Sequence, residues 1–125
     1  MNILFLGDIV GQSGIESVKR ILPKFKQEYY IDFVIANGEN ADKGYGILPE
    51  ICEELFSYGV DVITSGNHIW DKKEIIPYIA RTDKLLRPLN YPTTCPGSGY
   101  NTFTDKLGRK ILVVNVMCQL FMDPL

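Results

Sequence analysis

Three short apolar runs, each closed by a glycine beside a polar side chain, constrain this chain more than any other feature. The first covers residues 2–6 and ends at Gly7-Asp8. The second covers 32–36 and ends at Asn37-Gly38, followed by Glu39-Asn40. The third covers 61–64 and ends at Ser65-Gly66, followed by Asn67-His68. Runs this short and continuously apolar suit parallel strands buried on both faces, and the first is expected to be such a buried strand.

Helical periodicity fills the gaps between the runs. After a glycine-containing loop through Gly14, Ile15, Val18, Ile21, Leu22 and Phe25 recur on one face, with Lys19, Lys24 and Lys26 opposite. Pro23 interrupts this pattern, and a mid-helix proline costs about 3 kcal/mol, so a kink or split is expected there. A second helix begins near Leu48 with Pro49 in its first turn, carries Ile51, Leu55 and Tyr58 on one face, and stops at Gly59. Asp71 with Glu74 three residues later has the spacing of a capping arrangement for a third helix reaching about Ile79.

The order βαβαβα defines an α/β fold with a parallel sheet, helices packed on its faces and right-handed crossovers. Past Leu85 the pattern changes. Pro88, Pro92, Pro96, Gly97 and Gly99 mark an irregular loop, and residues 100–104 and 110–116 read as a β-hairpin turning at 105–108. The closing residues, Phe121 to Leu125, add no element. With 125 residues, 46% of them hydrophobic, one folding unit is expected over 1–125.

Charge and cysteine content narrow the function. The net charge of −2 comes from 13 basic and 15 acidic residues without any run of five or six like charges, which argues against duplex nucleic acid or an acidic membrane as partner. The opening apolar run has no basic leader and is too short to span a bilayer. Cys52, Cys95 and Cys118 are far apart and show no C-x-x-C spacing, so a reduced, cytoplasmic chain is expected.

In open α/β sheets, ligands bind beyond the carboxyl ends of the strands. Glycine there allows a sharp turn, so Asp8, Glu39 and Asn67 are expected to converge, offering oxygen ligands to hard divalent cations. Each residue also has a plainer role available. Asp8 suits the cap of the next helix, and Asn40 and Asn67 suit bonds to loop backbone. Glu39 follows a buried strand, where an unpaired charge is costly. His68, the single histidine, directly follows the third junction, and imidazole is a side-chain type suited to acid–base work. Gly7, Gly11 and Gly14 match neither standard phosphate-loop spacing. Tyr45, Trp70 and Tyr91 are either stacking surfaces for a base or hydrophobic plugs.

Taken in order, Gly7-Asp8-Ile9-Val10-Gly11, Asn37-Gly38-Glu39-Asn40-Ala41, Gly66-Asn67-His68 with Trp70-Asp71-Lys72, and Arg87-Pro88 with Asn90-Tyr91-Pro92 resemble the YmdB-like bacterial branch of the calcineurin-like metallophosphoesterases. The wider superfamily opens with Asp-x-His, and Val10 here replaces that histidine, as this branch tolerates. The resemblance implies a four-layer α/β sandwich, a dinuclear iron or manganese centre, and hydrolysis of phosphodiesters including 2′,3′-cyclic nucleotides. By that resemblance Asp8 binds the first metal, Glu39 bridges both, Asn67 binds the second, Asn40 sits at the edge, and His68 is the acid or phosphate-orienting group.

Relatives of that kind complete the centre with several histidines from a second half, and this sequence has none after His68. An incomplete N-terminal half is therefore expected, with weak metal binding, exposed apolar surface and self-association into a homo-oligomer. A catalytically inactive domain with a binding or regulatory role is the principal alternative. A flavodoxin-like nucleotide or flavin binder is the third.

Overall fold

The computed structural model describes residues 1–118. In chain order the elements are β1 (Ile3–Leu6), α1 (Gly11–Glu28), β2 (Phe33–Asn37), α2 (Pro49–Ser57), β3 (Val62–Thr64), a 3₁₀ turn (Asn67–Trp70), α3 (Ile75–Ile79), β4 (Leu85–Leu86), β5 (Tyr100–Thr104) and β6 (Lys110–Val114). The expected segment from Phe121 to Leu125 lies outside the described residues.

β1 to β4 form a parallel sheet in sequential order, with Ile3 opposite Phe33, Ile35 opposite Val62 and Ile63 opposite Leu85. Right-handed crossovers between strands added always on the same side place every helix on one face. Val34, Ala36, Ile63 and Leu85 accordingly pack with Ile15, Val18 and Leu22 of α1, Leu55 of α2 and Ile79 of α3. The alternate residues Phe33, Val62 and Leu86 meet Ile111, Val113 and Phe103 of the antiparallel β5–β6 hairpin. The layers are helices, sheet and hairpin, so the helices do not cover both faces as the alternation alone implied.

Four local expectations change. β1 is not buried on both faces: Ile3 and Phe5 are 47% and 59% exposed, because β1 is the sheet edge and the hairpin covers its neighbours instead. α1 begins at Gly11, whose φ of +59° favours glycine, and continues unbroken through Pro23. Its buried face of Ile15, Val18 and Leu22 supplies tertiary packing that outweighs the local cost of the exposed proline. Asp71 and Glu74 do not cap a helix: the segment forms the 3₁₀ turn, and α3 starts only at Ile75 without a side-chain cap. The hairpin's second strand ends at Val114, short of residue 116, where Asn115 turns inward.

Buried polar groups fasten the irregular loop. Arg87 Nε donates to the Pro96 carbonyl at 3.1 Å and Nη1 to the Pro88 carbonyl at 2.9 Å. Asn115 Nδ2 donates to the carbonyls of Ser65, at 2.9 Å, and Leu86, at 3.0 Å, joining the end of the hairpin to the ends of β3 and β4. These bonds satisfy groups whose burial would otherwise cost free energy. They also fix the hairpin beside the strand ends.

Candidate metal and phosphoester site

Parallel pairing brings the carboxyl ends of β1, β2 and β3 to one side of the sheet. Backbone bonds then draw the three following loops together. Ile9 N–H donates to the Asn37 carbonyl at 2.9 Å, Gly11 N–H to Asn40 at 3.1 Å, and Gly38 N–H to Thr64 at 3.0 Å. The sequence-selected side chains meet above these links.

Asp8 does not cap α1. Val10 occupies the cap position, and no side chain bonds the free amides. Both Asp8 carboxylate oxygens instead accept from Asn40 Nδ2, at 2.9 and 3.1 Å. The Asn40 side chain thus orients Asp8.

Glu39 lies against Gly66. A Cβ at position 66 would fall 2.1 Å from Glu39 Oε2, so only glycine leaves room for the carboxylate. Oε2 is buried and has no hydrogen-bond partner among the described residues. Burial, followed by the Asp8 charge, pushes the Glu39 carboxyl above its usual range, while His68, through charge and backbone N–H, pulls it down. Glu39 is therefore within electrostatic reach of both Asp8 and His68. Asn67 is exposed on the same groove, which Glu39, Ser65, Gly66, Phe5 and Val116 also line.

His68 Nδ1 is 2.6 Å from Asp71 Oδ2. Asp71, whose spacing to Glu74 fits a helix cap, is instead the partner of the His68 ring. The His-x-x-Asp spacing within one turn was the available signal. Tyr45 stands edge-on to the His68 ring, centroids 5.5 Å apart, and is 62% exposed. Trp70 and Tyr91 pack against each other at 5.8 Å and against the core, which makes them hydrophobic plugs.

The structure thus joins Asp8 to Asn40, sets Glu39 and Asn67 on one groove, and places His68 beside Asp71. Two carboxylates, one with an orphaned buried oxygen, and two amides suit hard divalent cations. The fit is partial: among the described residues, no three His, Cys, Asp or Glu side chains form a group able to hold a metal ion.

Known proteins resemble this chain in sequence and in fold. Residues 4–125 match the family described as YmdB-like protein. A 2′,3′-cyclic-nucleotide 2′-phosphodiesterase of Bacillus subtilis is 44% identical over all 125 residues, which span 47% of its length. A hypothetical protein from Thermus thermophilus superposes with a TM-score of 0.90 at 40% identity, covering 99% of this chain and 48% of that one. A phosphatase from Mycoplasma pneumoniae superposes with a TM-score of 0.82 at 35% identity, covering 91% of this chain and 42% of that one. The chain spans about half the length of these relatives. Its parallel sheet and hairpin are part of the calcineurin-like metallophosphoesterase sandwich. Matched from residue 4 to residue 125, the chain belongs to the YmdB-like protein family.

Proposed function

We propose that this chain supplies one side of a phosphodiesterase centre that hydrolyses phosphodiester bonds such as those of 2′,3′-cyclic nucleotides. The observation that carries this reading is Glu39, whose Oε2 is buried against Gly66 without a hydrogen-bond partner among the described residues. A stable protein retains such a group when a ligand satisfies it. The name of the Bacillus subtilis relative supports the substrate class.

Two divalent cations, iron or manganese, suit the donors, with Asp8 at the first, Glu39 shared, Asn67 at the second and Asn40 at the edge. When bound, such a pair supplies Lewis-acid stabilisation of the phosphoryl oxygens and activation of water. The chain's own residues do the rest. Asn40 fixes the orientation of Asp8. Asp71 fixes His68 through Nδ1, so that the ring, when doubly protonated, would present the Nε2–H as the proton for the leaving oxygen.

Metal content per purified chain, after incubation with manganese or iron and removal of free ion, tests the reading. Weak retention, well short of two per chain, is expected of one side of the centre, and retention near two would mean that further contacts complete it. Retention near zero would remove the catalytic role from this chain by itself. Turnover that depends on manganese and is lost in His68→Ala is the second expected result.

The absence of a three-ligand group among the described residues favours one alternative, a domain that binds without turning over. Binding of a cyclic nucleotide without hydrolysis at any manganese concentration would select it. The odd number and wide spacing of Cys52, Cys95 and Cys118 support a cytoplasmic setting. Among the described residues, no helix is long and apolar enough to cross a membrane.

A further inference from the structure

The loop that leaves β2 folds on itself around Tyr45. Gly44 N–H donates to the Asn40 carbonyl at 3.0 Å, Tyr45 N–H to Asp42 at 3.0 Å, and Asp42 N–H to Gly46 at 2.9 Å. Lys72 Nζ lies 2.8 Å from Asp42 Oδ2, which ties the loop to the segment that follows the His68 turn. Gly46 makes the close approach, since a Cβ there would fall 3.0 Å from the His68 carbonyl oxygen and 3.1 Å from Lys72 Cγ. Lys43 takes the left-handed φ of +56° that this path demands, a costly conformation for a residue with a side chain.

This loop fixes an aromatic ring beside the candidate acid and leaves it open to solvent. Tyr45 stands edge-on to His68 with 5.5 Å between centroids, yet it is 62% exposed. Trp70 and Tyr91, by contrast, are partly buried against the core. Burial of the Tyr45 ring therefore does not offset the conformational entropy lost in ordering its loop. A ligand that covers the ring does.

We propose that Tyr45 is the stacking platform for the nucleobase of the substrate, so that the chain holds a nucleotide by its base as well as by its phosphate. The choice of a nucleotide rests on the phosphodiesterase reading. In a 2′,3′-cyclic nucleotide the base is joined to the sugar carbon next to the one that bears the 2′-oxygen. A leaving oxygen served by His68 thus brings the base within reach of the ring beside His68, because aromatic rings pair at centroid separations of about 4.5 to 7 Å. Every base has a π-face, so a phenol ring accepts purines and pyrimidines alike. The Asp42–Lys72 tie orders the ring before binding, which lowers the entropic cost of stacking on it.

Proton NMR titration of this chain tests the proposal, with magnesium as a diamagnetic divalent cation and two probes. One is adenosine 2′,3′-cyclic phosphate, and the other is the base-free 1,2-cyclic phosphate of glycerol. Upfield shifts of the adenine protons and nuclear Overhauser contacts from them to the Tyr45 ring are expected. Tyr45→Ala should weaken the adenosine probe at least about fivefold, and Tyr45→Phe, which keeps the ring face, less than about twofold. The glycerol probe should bind the parent and Tyr45→Ala alike. Binding of both probes with the adenosine affinity unchanged in Tyr45→Ala would overturn the stacking and leave the phosphodiesterase reading standing. An adenosine probe bound through Tyr45 but intact at every manganese concentration would uphold the stacking and select the alternative without turnover. Failure of the parent to bind either probe would overturn both.

Discussion

The Asp71 carboxylate holds His68 by its Nδ1, with Oδ2 2.6 Å from the ring nitrogen and one 3₁₀ turn between the two residues. The Nδ1–H donates and the carboxylate accepts, so the neutral ring keeps its lone pair on Nε2. Because His68 is the single histidine, one set of imidazole nitrogen signals reports its tautomer. Asp71→Ala is expected to shift the neutral ring from the Nδ1–H toward the Nε2–H tautomer in long-range proton–nitrogen correlation spectra. An unchanged tautomer would show that Asp71 does not hold the ring.

That pair also marks a boundary of what the sequence discloses. The spacing of Asp71 and Glu74 fits a helix cap, and the spacing of His68 and Asp71 fits a side-chain pair; the 3₁₀ turn chooses the second. The three strand-end junctions were legible because glycine and a polar residue after an apolar run form a local signal. Coverage of β1 was not, since Ile3 and Phe5 resemble any buried strand residues until strand order places them at an edge. β4 is two residues long, too short for any period to register. The gathering of the helices on one face follows from strand order, which no local pattern encodes. Among site residues, Asp8 and Asn40 were selected separately, and their mutual bond appears only when parallel pairing aligns the ends of β1 and β2.

Pro23 lies exposed inside an otherwise continuous α1. It offers no N–H to the carbonyl one turn back, and its ring crowds that carbonyl. Pro23→Ala restores the bond and is expected to stabilise the chain by about 1 to 3 kcal/mol in urea unfolding. A loss of stability would mean that the proline's restriction of the unfolded chain outweighs its cost in the helix.

Asp32 joins the sheet to the hairpin. Its Oδ2 accepts from the Asn2 backbone N–H at 2.7 Å, and its Oδ1 lies 3.0 Å from Arg109 Nη2 in the turn that ends the hairpin. The Asn2 N–H, assisted by Arg109, holds this carboxyl below its ordinary value of 3.8 although burial pushes it upward. With a depressed folded pKa, the stabilising contribution is complete above the unfolded value. It is lost as pH falls through the folded value, because the unfolded chain takes up the proton first. Asp32→Asn should therefore be less stable than the parent at neutral pH, and the gap should narrow as the pH drops below the ordinary carboxylate range. Thermal melts at several pH values read this. A gap that stays constant with pH would exclude the charge as its source.

Two glycines separate site geometry from fold integrity. At Gly66, whose φ of −145° any residue adopts, the nearest atoms to an added Cβ would all belong to the Glu39 carboxyl, 2.1 Å from Oε2 and 2.6 Å from Cδ. That group ends a flexible side chain and can swing aside, so Gly66→Ala is expected to change stability by less than about 1 kcal/mol. Displacing Glu39 removes the carboxylate that the two cations would share, and manganese affinity in the assembled protein should fall by at least about tenfold. At Gly99 the Cβ would lie 2.3 Å from the Leu89 Cα and 2.7 Å from its backbone nitrogen. Backbone cannot yield as a side chain does, and Leu89 N–H is already committed to the Asn115 carbonyl at 2.7 Å. Gly99→Ala should cost about 3 kcal/mol while leaving manganese bound per folded chain unchanged. Urea unfolding and metal titration of both variants decide the matter: a stable Gly66→Ala chain with full manganese affinity would show that Glu39 does not hold the metal from its place over Gly66.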